Sequence, residues 1–263
     1  MPRAMRLVLH QARYDLTAIR ANRQARFSTL VMPVVLLAVV IGVTGGDPIR
    51  YGGASLNAAT YFAPGLIAFA VLASCFMALV VELVLQRETG VLKRRRARPV
   101  PAWTLVVART LAAAATSLTI AAVLLVVAAN GYDAAIPAAA IPAIAVTVIA
   151  GTASLCALAY ALSTAIPSGP AAQPVVALVA LPLFLVSGVF FPASDLPSGL
   201  ALLAGVFPLE HLAHGLRHAV LPGAGGTRID GADIAVMLAW ALAGLAIAVR
   251  RFSWLPRTSA GSG

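Results

Sequence analysis

Six stretches of about 20 predominantly apolar residues recur along the chain, at 27–45, 61–85, 103–129, 136–166, 174–191 and 232–250. An α-helix of about that length crosses the roughly 30 Å hydrocarbon layer of a bilayer. Lipid offers no partner to a bare backbone amide, so a spanning segment must be a helix or a strand of a closed barrel. Strict two-residue alternation is absent and runs exceed 18 residues, which points to helices. Apolar residues make up 60% of the 263 and charged ones 11%, against roughly 45–50% and about 25% in soluble domains, which excludes an ordinary soluble fold. The predicted fold class is all-α: a polytopic membrane protein with six transmembrane helices occupying 27–251.

The basic residues orient these spans. The net charge of +10 comes from 18 arginines and one lysine, Lys93, set against nine acids. Six arginines precede the first span, six basic residues lie between Arg87 and Arg98, and Arg250, Arg251 and Arg257 follow the last span. The other side receives Arg50, Arg217 and Arg228. Fifteen against three puts both termini in the cytoplasm by the positive-inside rule, in a multi-pass protein of the cytoplasmic membrane, bacterial in type. Cys75 and Cys156 fall inside apolar runs and read as small hydrophobes, with no disulfide framework signalled.

The flanking segments carry patterns of their own. In residues 1–26, Met5, Leu9, Ala12, Leu16 and Ile19 recur at helical spacing beside a strip of Arg6, Arg13 and Arg20. That pattern predicts an amphipathic helix in the cytoplasmic interface, its guanidiniums among anionic headgroups; a simple topology-setting basic tail is the alternative. Membrane lipid is thus the expected partner, and nucleic acid is not. The tail 252–263 is small, polar and expected to be flexible. Loop 86–102 allows one short charged helix from Arg87 towards Arg96 before Pro99 and Pro101 stop it, and a soluble partner can grip such a helix; a solvated loop is the alternative.

Two motifs carry a resemblance. Arg87, Glu88, Gly90, Val91, Leu92, the basic cluster and Pro99 resemble the first cytoplasmic loop of type-2 ABC exporter permeases. Further on, Ser187, Gly188, Phe190, Pro192, Leu196, Pro197, Pro208, Leu209, His211, Gly215, Leu216 and Arg217 resemble the end of that family's fifth span and the segment after it. With six spans and an amphipathic N-terminus, the resemblance covers essentially the whole chain. It implies that residues 1–26 form a connecting helix, and that Arg87, Glu88, Gly90, Leu92, Lys93 and Arg94 belong to a coupling helix seated on an ATPase. It also implies that 192–222, with Pro192, Pro197, Pro208, His211 and Arg217, forms an outer re-entrant helical segment.

The residues also bear on the source of energy and on the cargo. A phosphate-binding loop needs Gly-Lys-Ser/Thr, but Lys93 stands between Leu92 and Arg94, so this chain holds no Walker A motif. ATP and magnesium are therefore expected on a separate ABC ATPase subunit, with no cofactor and no enzymatic activity on this chain. The family resemblance implies a second copy or a paralogous permease. The polar groups near span centres are hydroxyls, on Ser74, Thr116, Ser117, Thr119, Thr147, Thr152 and Ser154, and no titratable side chain joins them. That speaks against an ion-coupled carrier or a charged channel filter. Trp103, Trp240 and Trp254 read as lying at or near span ends, away from any sugar-stacking platform. A hydrophobic or amphipathic small molecule, a drug or antibiotic first, is the expected cargo; lipid or polysaccharide export is the nearest alternative.

Two groups of charged or metal-ligating residues remain. Glu82 and Arg109 lie at equal depth near the cytoplasmic ends of consecutive spans, as an intramembrane ion pair or as two side chains snorkelling separately. His211, His214 and His218 share one helical face beside Glu210. In E-H-x-x-H order they depart from the zinc-protease pattern, so interfacial histidines are expected rather than a metal site. An autonomous channel, or an intramembrane metalloenzyme built on those histidines, remains the alternative from another class.

Overall fold

The computed structural model describes residues 23–51, 54–90, 102–188, 197–221 and 228–251. Arg6, Leu9, Arg13, Leu16 and Arg20 of the predicted interfacial helix lie outside the described residues, as do Leu92, Lys93, Arg94, Pro192 and the tail. Helix α1 (Arg23–Val43) leads to a small antiparallel hairpin, β1 (Ile49–Tyr51) and β2 (Ala54–Leu56), in which Arg50 faces Ser55. The hairpin corrects the all-α expectation by one small element. It forms in a polar connection where Gly52-Gly53 separates two strand-compatible triplets, a hairpin signature in the sequence itself.

Helix α2 (Ala58–Val71), a π-helical turn (Leu72–Met77) and α3 (Ala78–Glu88) run on as one segment of 31 residues. Asn57 caps its start: the side-chain oxygen accepts from Ala59 N at 2.8 Å, while Nδ2 donates to Tyr132 O at 3.0 Å. Helix α4 (Ala102–Tyr132) returns across the bundle, and a 3-10 turn (Ala138–Ala140) opens α5 (Ile141–Ser163), where Pro142 occupies the first turn and needs no amide partner. Then follow α6 (Gly169–Val186), two short helices α7 (Ser198–Ala204) and α8 (Pro208–Val220), and α9 (Gly231–Arg251).

Four helical segments, Ala58–Glu88, Val106–Tyr132, Ala138–Ser163 and Gly231–Arg250, are long and apolar enough to cross a bilayer. Two shorter apolar stretches, Val31–Val43 and Gly169–Leu185, lie in α1 and α6. Helix α6 starts upstream of the predicted 174–191, because Pro170 suits a first turn; it ends early because Gly188 takes a left-handed turn (φ 68).

Helix α5 is the centre of the bundle. It packs against α9 most extensively, and against α8, α4, α3 and the π turn. Helix α8 is wedged among α5, α2 and α9, its buried face made by Leu209, Leu212, Ala213, Leu216 and Ala219. Leu212 lies over Gly151 and Gly215 lies over Thr147, so α8 rests on the first half of α5. The end of α3 meets the other end of α5, near Ser163.

Candidate functional site

At the end of α3, Arg87 and Glu88 turn towards the loop between α5 and α6. Arg87 is 4% exposed. Its Nη1 donates to Ser163 O at 3.1 Å, and its Nη2 to Ile166 O at 2.6 Å and Pro167 O at 3.3 Å. These carbonyls lie at and just beyond the C-terminus of α5, where unpaired C=O groups and the helix dipole place negative charge. Glu88 takes the opposite pole: its Oε1 accepts from Gly169 N, the first amide of α6, at 2.6 Å. Ser168 makes no side-chain cap there, so Glu88 caps α6 from another helix. A Cβ at Gly169 would run into the Glu88 carboxylate and into Leu85. Two adjacent residues of opposite charge thus grip two helix ends of opposite polarity. Gly90, at φ 69, then turns the chain out of the helix.

One turn back, Arg109 of α4 forms an ion pair with Glu82 Oε2, and Gln86 Nε2 donates to Glu82 Oε1 at 2.7 Å. Both partners are partly exposed. The pair ties α4 to α3, the helices on either side of residues 91–101.

At the far end of α5, the short helices collect a second polar group. Pro197 is exposed just ahead of α7, and Pro208 occupies the first turn of α8, buried. Arg217 is 5% exposed; it donates to Gly188 O, beyond the C-terminus of α6, and its guanidinium lies 5.3 Å from the centroid of the Tyr61 ring. Glu88 and Arg217 therefore hold the two ends of α6, each with the charge that its pole favours.

His211 Nδ1 lies 2.7 Å from Asp233 Oδ1 and its Nε2 lies 2.9 Å from Gly205 O. Both oxygens can accept from the ring nitrogens, so the pairing favours the protonated ring. His214 Nδ1 lies 2.7 Å from the other oxygen, Oδ2, of the same buried carboxylate. The bonds to Asp233 hold both imidazoles above their ordinary range, against the opposing effect of burial, and burial pushes the Glu210 carboxyl up. His218 stacks on His214 at a ring separation of 6.3 Å without reaching Asp233. Asp233, on which the cluster converges, escaped the sequence reading because it stands 19 and 22 residues away in another helix. An acid in the first turn of an otherwise apolar span is the signal that finds it. Trp240 also departs from expectation: it sits well inside α9, where its Nε1 donates to Val206 O at 2.6 Å and its ring stacks on Phe207.

The sequence of residues 47–250 matches the family described as ABC-2 family transporter protein. The chain belongs to that family. The match spans both polar ends of the bundle, from the hairpin through α9. As an ABC-2 permease the chain is a multi-pass membrane transport subunit rather than itself a catalyst. No curated protein matches it significantly.

Proposed function

We propose that the chain is the permease half of an ATP-driven exporter, with six spans, both termini in the cytoplasm, and a separate ABC ATPase seated beneath the loop that follows α3. Two such permeases, identical or paralogous, work as a pair in this reading. The observation that carries it is the grip of Arg87 and Glu88 on α5 and α6. A push on the loop after α3 reaches α5 through its C-terminal carbonyls and α6 through its first amide. Arg109 and Glu82 brace the same loop at its other end, so the loop moves with α3 and α4 together.

The proposed cargo is a hydrophobic or amphipathic small molecule, with drugs and antibiotics first. Several mid-span hydroxyls are bonded back to their own helices: Ser74 to Ala70 O at 2.8 Å, Thr116 to Ala112 O at 3.0 Å, Thr119 to Ala115 O at 2.9 Å and Ser154 to Gly151 O at 2.8 Å. Hydroxyls so engaged offer few donors to a passing molecule, which suits an apolar cargo better than a polyhydroxylated glycan. The helical pair α7–α8 is read as re-entrant from the outer face. Its elbow, Gly205 to Phe207, is held by Trp240, nine residues into α9 and thus about 14 Å along that helix from Gly231.

The test is purification of the complex from its native membrane and transport of a lipophilic dye into inverted vesicles. A stoichiometric ATPase should co-purify, and dye uptake should require ATP. Charge reversal at Glu88 and Arg94 together should leave the complex assembled while abolishing uptake. A chain that emerges alone and without ATPase activity, or a double reversal that transports normally, would overturn the reading.

A further inference from the structure

Where α8 meets α9, acids and imidazoles bring their ligand atoms close together. Asp230, Asp233 and Glu210 surround two imidazoles, of which His211 is held between Asp233 Oδ1 and Gly205 O. That leaves the Oδ2 side of Asp233 facing His214 Nδ1, with Asp230 alongside. Ligand atoms of His214, Asp230 and Asp233 lie within 4.8 Å of one another.

We propose that His214 of α8 and Asp230 and Asp233 of α9 form a binding site for one divalent transition-metal ion of the zinc class. The donor set is one imidazole nitrogen and two carboxylates, which leaves a fourth, open position for water in a tetrahedral shell. The imidazole selects zinc-like ions over magnesium or calcium, which prefer all-oxygen shells. Each carboxylate is already oriented through its other oxygen. Asp233 Oδ1 is fixed by His211, the arrangement expected of a partner that aims a metal ligand. Asp230 Oδ1 caps α9, accepting from Ala232 N at 2.9 Å and Asp233 N at 3.3 Å. The absent side chain at Gly215 keeps the place open, since a Cβ there would stand 3.2 Å from Asp233 Oδ2 and 3.1 Å from Thr147 Cγ2. The ion would fasten α8 to the start of α9, and this inference stands whether or not the chain proves to be a drug exporter.

The test uses the full-length chain in detergent, stripped with a chelator and titrated with zinc chloride at about neutral pH against a chromophoric chelator. Expected is one zinc per chain, with affinity at least about tenfold weaker in His214→Ala and in Asp230→Asn, the loss typical of damaged metal sites. Asp230→Asn keeps the helix cap, because an asparagine carbonyl accepts the same amide bonds, so its fold is retained and its loss reports on the metal alone. Zinc should also raise the thermal midpoint of the unaltered chain, and raise that of Asp230→Asn by less at the same concentration. Absence of stoichiometric zinc, parental affinity in both variants, or magnesium binding as tightly as zinc would each overturn the assignment.

Discussion

Arg87 and Arg217 are both nearly buried, and carbonyl oxygens at or beyond a helix C-terminus accept from each. A buried cation in an apolar bundle is costly, and the C=O groups of a helix end supply both acceptors and partial negative charge. Replacing Arg87 by Met should therefore cost about 2–3 kcal/mol, the range for hydrogen bonds to a charged donor, seen as a lower thermal midpoint of the purified permease. Glu88→Gln should cost less than about 1 kcal/mol, since the amide oxygen still accepts from Gly169 N and only the charge at the α6 dipole is lost. A larger fall for Glu88→Gln than for Arg87→Met would refute this ordering. The sequence marked both residues through a motif. It was silent about what they hold, because Ser163, Ile166 and Gly169 stand 76 to 81 residues away, and backbone atoms carry no side-chain signature.

Among the elements, the apolar runs were legible because hydropathy over about 20 residues is a sum, insensitive to any one position. Their ends were less so: α6 starts where Pro170 permits and not where the apolar composition begins. The π turn at Leu72–Met77 has no compositional mark, since it is a one-residue change of hydrogen-bond register within an apolar run, with Ala78 N bonded to Ala73 O. The packing of α5 on α9 was equally hidden. A Cβ at Gly244 would sit 2.7 Å from Ala157 C and 2.8 Å from its O, so the two backbones touch there, as small residues allow between helices in lipid. Gly244→Leu must push α9 off α5 and should lower stability by about 1–3 kcal/mol or more, measured as loss of monodisperse protein on heating in detergent. Gly244→Ala should lie between Leu and the unaltered chain. A Leu variant as stable as the parent would mean that this contact is looser than the geometry indicates.

At the scale of the whole molecule, α5 joins the two polar ends. Its C-terminal carbonyls are held by Arg87, and Thr147 and Gly151 near its start lie beneath α8, so about 18–24 Å of uninterrupted helix separates the two contacts. A rigid helix moved at one end must carry the other, unless it bends, and the described residues of α5 beyond Pro142 contain no proline that would let it. If ATP turnover below moves the clamp, the short helices at the opposite end must move with it. Leu202 on α7 is 76% exposed, while Cys75 and Cys156, the two cysteines of the chain, are both buried. A Leu202→Cys variant therefore offers one reactive thiol at that end. With the partner ATPase present, a membrane-impermeant maleimide applied from the non-cytoplasmic side should label it at a rate that changes when ATP is hydrolysed. Adding Arg87→Met should leave the basal rate in place and remove the change, because the clamp can no longer pull on α5. Labelling only from the cytoplasmic side would reverse the proposed topology, and an ATP response that survives Arg87→Met would show that the movement reaches α7 by another route, through α4 or α9.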